Sequence, residues 1–221
     1  MSHADAVVFD LDGTLIDTEP LWDEVRRDLA AQDGVDWPPE ATRAMMGMST
    51  PEWSGYLADV VGLRGDADDC ARRTIEGLAA RYRKDLPLRP GAVEAVERMA
   101  ARGPVGLATS SPRLLIDAIV SALHLEDAFA VTVSSEEVER GKPAPDVYLE
   151  ACRRLGAVPA RSVAVEDSHA GIGSAAAAGM AVVAFPHEFE TPNEATLAQA
   201  AAVIASLDEL TPELVDRIAG A

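Results

Sequence analysis

Cysteine is nearly absent from these 221 residues: Cys70 and Cys152 are the only two, far apart and without a Cys-x-x-Cys or His-rich neighbourhood. That argues against a disulfide scaffold or a thiolate zinc site and leaves two buried or free thiols in a reducing compartment. Positive charge is scarce too, with 19 Lys and Arg against 37 Asp and Glu and a formal net charge of −18. Phosphate backbones and anionic membranes select basic surfaces, so neither nucleic acid nor membrane is expected as a partner. A small anionic ligand would need a locally positive pocket. The chain opens without a basic stretch and long apolar run, so no secretory leader is expected. The uncharged window 168–187 approaches the length of a membrane span, but its Ala and Gly content and the break at Gly179 read as a helix followed by a strand. Repeats and low-complexity linkers are also missing. A cytoplasmic globular protein with no evident protein partner is the expectation, and an apolar content of 48% supports a substantial core.

What is present is organised around Ala6-Val7-Val8-Phe9-Asp10-Leu11-Asp12-Gly13-Thr14-Leu15. The apolar run is short enough for a strand covered on both faces and too short for a helix. It delivers Asp10 and Asp12 to the tip of that strand. Similar runs follow at Pro104–Ala108, Phe129–Val133, Ser162–Val165 and Met180–Phe185, separated by helical patterns. Ser111 is expected to cap one of these helices, with Pro112 in its first position. Alternating strands and helices predict an α/β fold, a doubly wound parallel sheet with helices on both faces.

Between the first two strands the pattern is helical throughout. Thr18 is placed to cap a helix with Pro20 in its first turn, and breaks follow at Trp37-Pro38-Pro39 and between Gly62 and Gly65. Met45, Met46 and Met48, with Trp22 and Trp53, are expected to pack this segment. An insertion of roughly seventy residues is far longer than a strand crossover needs. The expected organisation is therefore a Rossmann-like core at 1–15 and 89–221 with a small helical cap domain at 16–88.

The chemistry-bearing residues gather where strands become loops: Asp10 and Asp12 after the first, Thr109 and Ser110 after the second, Glu166 and Asp167 after the fourth. In an open parallel sheet these ends share one crevice, and Lys142, just before a helix, can reach its rim. Four acids brought together need a cation, and hard oxygen donors point to Mg²⁺. Thr109, Lys142 and N–H groups at a helix start would then cradle an oxyanion such as phosphate. A carboxylate can attack phosphorus while a second acid moves the proton.

Asp-x-Asp-Gly-Thr-Leu at 10–15, the strand ending in Thr109, Lys142-Pro143-Ala144-Pro145-Asp146 and Glu166-Asp167-Ser168-x-Ala170-Gly171 resemble, in order and spacing, the four motifs of the haloacid dehalogenase (HAD) superfamily. The helical insertion is similar to the cap of its β-phosphoglucomutase-like branch. Leu15–Trp22 and Ala108–Pro112 look most like hexitol phosphate and 2-deoxyglucose-6-phosphate phosphatases. The resemblance implies a Mg²⁺-dependent phosphomonoesterase acting on a small phosphorylated sugar or polyol through an aspartyl phosphate. Asp10 is then nucleophile and metal ligand, and Asp12 is the general acid/base whose carbonyl also binds metal. Thr109, Ser110 and Lys142 hold the phosphoryl group, Asp167 ligates Mg²⁺ with Glu166 in support, and Glu19 is a candidate substrate or gating residue on the cap. Dehalogenases lack the second acid, because a halide leaves without a proton; Asp12 is present here. A hexose phosphate mutase and a catalytically idle binding module of the same fold are the alternatives.

Overall fold

The structure, a computed structural model, describes residues 3–45, 48, 50–84, 86–187 and 191–219. It divides into two compact units, Thr18–Leu86 and the combination of Met1–Asp17 with Pro87–Ala221. Among the described residues no helix is long and apolar enough to cross a membrane.

The first of these units is helical: α1 (Glu19–Asp33), α2 (Ala41–Ala44), α3 (Thr50–Tyr56), a π-helical turn over Leu57–Val61, and α4 (Ala67–Tyr82). Thr18 does occupy the position before α1, and Pro20 lies in the first turn, but the Thr18 side chain does not cap. Its backbone is already helical (φ −92°, ψ −12°), whereas a capping hydroxyl reaches back to the helix N–H groups from an extended backbone. Asp66, which is extended, does cap α4 through the Asp69 N–H. The buried faces of α1 and α4 meet closely because Gly77 has no side chain; a Cβ there would stand 2.9 Å from Val25. Met45 and Trp53 are buried, and Trp22 meets Trp53 edge-on with ring centres 5.6 Å apart. Met46 lies outside the described residues. Arg26 lies over both indoles, and burial pushes its pKa down to about 10 against the opposing charges of Glu19 and Asp23.

A bidentate ion pair ties α1 to α4. Both Arg73 terminal nitrogens donate to the Asp33 carboxylate at 2.8 Å, and the Arg64 N–H adds a third bond at 2.8 Å. The Arg73 hydrogen bonds hold the Asp33 pKa down at about 2. A carboxylate whose folded pKa lies below its unfolded value contributes stability above the unfolded value, and that contribution fades as pH falls toward the folded one. Asp33→Asn is therefore expected to cost about 1 kcal/mol, allowing for solvent screening, at pH 6 in urea unfolding of this unit, and the difference from wild type should shrink between about pH 4 and pH 2. A difference independent of pH across that window would contradict the assignment.

The second unit is an all-parallel, six-stranded sheet with helices on both sides, as the alternating pattern predicts. Its strands are β1 (Val7–Phe9), β2 (Val105–Thr109), β3 (Val131–Ser134), β4 (Val163–Glu166), β5 (Ala181–Ala184) and β6 (Ala202–Val203). The sequence reading misses β6, because two residues carry no periodicity. Its helices are α5 (Ala92–Ala100), α6 (Arg113–Ala122), α7 (Asp146–Leu155), α8 (His169–Ala177), α9 (Glu194–Leu197) and α10 (Pro212–Ile218). The order β3-β2-β1-β4-β5-β6 places β1 at the centre, with β2 on one side and β4 on the other. The chain reverses its direction of travel across the sheet between β1 and β4, so the crevice for a ligand opens at the carboxyl ends of those two strands. Every residue of β1, β2 and β4 is buried, which explains why their sequences are apolar up to the polar residues at their tips, Thr109 and Glu166.

Candidate active site

Strand β1 ends at Phe9, so both acids of the first motif stand in the loop beyond it. The Asp10 N–H still donates to the Val165 carbonyl at 2.9 Å, which extends the register with β4 and fixes Asp10 beside Glu166. Gly13, at φ +84°, turns the loop so that its N–H meets the Ile16 carbonyl at 2.7 Å. That glycine is also needed for space: a Cβ would overlap the Asp167 carboxylate. Thr14 is fully buried behind it and donates to Asp167 Oδ1 at 3.4 Å.

Lys142 is the hub. Its Nζ donates to Asp10 Oδ1 at 2.5 Å, to Glu166 Oε1 at 2.6 Å and to the Ala108 carbonyl at 3.0 Å, with a side chain only 5% exposed. Three acceptors, from the loop after β1 and from β2 and β4, thus converge on one ammonium. Glu166 is fully buried, and its other oxygen accepts from the Asp167 and Ser168 N–H groups and from the Ser168 hydroxyl. Ser168 in turn caps α8 by accepting from the Gly171 N–H at 3.0 Å. The first turn of α8 carries no side chain at Gly171, and a Cβ there would collide with the Glu166 carboxylate. The last motif is therefore a helix start folded around a buried carboxylate.

Asp10, Glu166 and Asp167 present carboxylate oxygens within 4.8 Å of one another, a group able to hold a metal ion. Burial raises the Asp10 pKa well above the usual carboxylate range; Lys142 opposes that, while Glu166 and Asp167 add to it. Burial likewise pushes Asp167 up to about 7, with Glu166 adding repulsion. Burial alone would lower the Lys142 pKa, but the Asp10 and Glu166 charges outweigh it and push it up, so the lysine stays charged. One ammonium facing three acids leaves a deficit of positive charge, and hard carboxylate oxygens suit a divalent cation such as Mg²⁺. The donor set fits that ion. Because both Glu166 oxygens are engaged by protein donors, Asp10 and Asp167 are the carboxylates best placed to serve it.

The remaining expectations divide. Thr109, at the tip of β2, is buried, and its hydroxyl accepts from the Ser111 N–H at 3.0 Å. Ser110 is exposed. Asp12 is half-buried, and Ser111 Oγ donates to its Oδ2 at 2.5 Å. Ser111 is not the cap of α6. Pro112 holds that position, extended at ψ 148°, and carries no capping side chain. The backbone explains the difference: α6 begins at Arg113, so the extended Pro112 borders the helix and Ser111 stands one position outside it. Glu19 opens α1 of the helical unit and is exposed there. The sequence reading places Ser111 only at the helix start that would cradle an oxyanion, without its bond to Asp12; it holds Thr14 and Gly171 only as members of motifs, and it misses Tyr148. Tyr148 carried a usable signal: it falls on the apolar face of α7 with Val147, Ala151 and Cys152, and a buried phenol needs a partner.

A doubly wound sheet with an acid-bearing loop after β1, a buried lysine and an acid pair at the end of β4 defines the α/β enzymes that bind anions at the carboxyl edge of the sheet. Within that class the chain belongs to the haloacid dehalogenase-like hydrolases, whose family model matches residues 4–179. It is 33% identical over 223 residues to hexitol phosphatase B of Escherichia coli, covering 93% of this chain and 94% of that one. It is 34% identical over 177 residues to a phosphorylated carbohydrates phosphatase of Thermotoga maritima, covering 80% of this chain and 82% of the relative. Among solved structures, CbbY from Rhodobacter sphaeroides in complex with phosphate superposes with a TM-score of 0.83 at 28% identity, covering 94% of this chain and 96% of that one.

Proposed function

We propose that this enzyme is a Mg²⁺-dependent phosphomonoesterase that hydrolyses small phosphorylated sugars or polyols through an aspartyl phosphate. The observation that carries the reading is the Lys142 ammonium bridging Asp10 and Glu166 beside a third carboxylate at the switch point of the sheet. The names of the relatives, phosphatases of hexitols and phosphorylated carbohydrates, support the substrate class.

In this mechanism a carboxylate oxygen of Asp10 attacks phosphorus and the bond to the ester oxygen breaks. Asp12 gives the departing alkoxide its proton, so the product alcohol leaves neutral. Water then attacks the aspartyl phosphate, Asp12 takes a proton from that water, and phosphate leaves with Asp10 restored. Lys142 and Thr109 face the phosphoryl oxygens, where the ammonium offsets charge that builds in the transition state. Asp10 and Asp167, with the main-chain carbonyl of Asp12, would hold Mg²⁺, which supplies further charge neutralisation to the phosphoryl group. Ser111 keeps the Asp12 carboxylate in a defined orientation between turnovers. Glu166 serves by fixing Lys142, and we assign substrate choice to the helical unit, with Glu19 as its candidate residue.

Assay with p-nitrophenyl phosphate, with Mg²⁺ and with EDTA, tests the class. Turnover is expected with Mg²⁺ and to fall at least about 10²-fold on chelation, since the acids lose the charge that balances them. Activity indifferent to EDTA would overturn the metal assignment, and the appearance of an isomer instead of free phosphate from a hexose phosphate would favour a mutase.

A further inference from the structure

Tyr148 is a buried polar group beside the site that this mechanism leaves unused. It is fully enclosed on the inner face of α7, and its hydroxyl donates to Glu166 Oε1 at 2.7 Å. The same oxygen accepts from Lys142 Nζ at 2.6 Å, and that ammonium lies 5.1 Å from the centre of the Tyr148 ring. Packing accounts for the ring, which joins Val8, Ala108, Ala164 and Ile172 in one apolar cluster. It does not account for the hydroxyl, because a phenylalanine would fill the same space without a polar atom to satisfy. Burial, reinforced by the nearby Glu166 charge, pushes the phenol pKa well above its ordinary value, so the group stays a donor.

We propose that Tyr148 is a positioning residue that acts through Glu166 on Lys142. By sharing Glu166 Oε1, the hydroxyl weakens that oxygen as an acceptor and keeps the ammonium divided between Glu166 and Asp10. Without the hydroxyl, Oε1 retains Lys142 alone, draws it closer, and loosens its hold on the Asp10 carboxylate where phosphoryl transfer takes place. The geometry suits this role, since Asp10 and Glu166 compete for one Nζ at nearly equal distances, 2.5 and 2.6 Å. The inference deepens the phosphatase reading above and rests on it.

The test compares wild type, Tyr148→Phe, Glu166→Gln and the double variant in p-nitrophenyl phosphate hydrolysis with Mg²⁺. It also follows lysine ¹³Cε and ¹⁵Nζ resonances in the metal-free proteins. Lys84 and Lys142 are the only lysines in the chain, so Lys84→Arg assigns the spectrum. Tyr148→Phe is expected to lower kcat about 10-fold, the size of one hydrogen bond to a charged group, with KM within about twofold. Its thermal midpoint should stay within a few degrees of wild type, and the Lys142 resonances should shift while those of Lys84 do not. In the Glu166→Gln background, where the shared charge is gone, removing the hydroxyl should change kcat less than about twofold. Wild-type kcat in Tyr148→Phe, an equal loss in both backgrounds, an unmoved Lys142 signal or a collapse in stability would each overturn the proposal. A wild type that hydrolyses no phosphomonoester overturns the phosphatase reading and this proposal together; an active wild type with an unaffected Tyr148→Phe variant overturns this proposal alone.

Discussion

Asp10→Asn should abolish turnover, lowering kcat by at least about 10⁴-fold while leaving the fold and the affinity for a phosphate analogue largely in place. The substitution changes little in shape. An amide oxygen can still accept from Lys142 Nζ and the backbone register with Val165 is untouched, but an amide does not form an acyl phosphate. Chemistry is lost without the structural collapse that a larger change would bring. Two measurements check this: steady-state hydrolysis of p-nitrophenyl phosphate, and acid-quenched trapping of phosphorylated protein, present in wild type and missing in the variant. A variant that hydrolyses the ester at wild-type rates, or still traps phosphate at the same peptide, would remove Asp10 from the nucleophile's place.

Lys142→Met has the next largest expected effect, and it acts on both rate and stability. Methionine replaces the buried stem but withdraws the ammonium from Asp10, Glu166 and the Ala108 carbonyl at once. Deleting one partner of a buried ion pair costs about 3–5 kcal/mol, because the other is left charged and unsolvated. Here three acids lose their only ammonium, so part of the cost is relieved by proton uptake, and Mg²⁺ should raise the thermal midpoint of the variant more than that of wild type. We expect kcat/KM to fall about 10³-fold through loss of the charge facing the phosphoryl oxygens. Lys142→Arg should restore little, because a planar guanidinium cannot bring one nitrogen to three converging acceptors. Retention of kcat/KM within tenfold of wild type in Lys142→Met would refute the central role given to this residue.

Much of the architecture was legible because strands covered on both faces leave an unmistakable trace. Val7-Val8-Phe9 and Val163-Ala164-Val165 are apolar without alternation, and polar residues appear only where the chain emerges. The misses have equally definite causes. Strand β6 is two residues long and takes its identity from pairing with β5. Thr18 and Ser111 are residue types that cap helices, and local pattern assigned them that task. A helical backbone at Thr18 and a helix that begins at Arg113, one residue beyond the expected start, decided otherwise. Tyr148 was hidden for the opposite reason: it sits among core residues and looks like one of them until its hydroxyl is traced to Glu166.

By itself the sequence determined the α/β class, the family and the identity of the acids and lysine at the strand ends, because burial periods and motif spacings are local properties. The tertiary structure alone decided how the charges are shared. That Glu166 spends both oxygens inside the protein, that Lys142 stands between it and Asp10, and that Gly13 and Gly171 clear room for two carboxylates are facts of packing between elements distant in sequence. In a low-dielectric interior the strength of each charge depends on what lies within a few ångströms of it, and no order of residues along a chain specifies that distance.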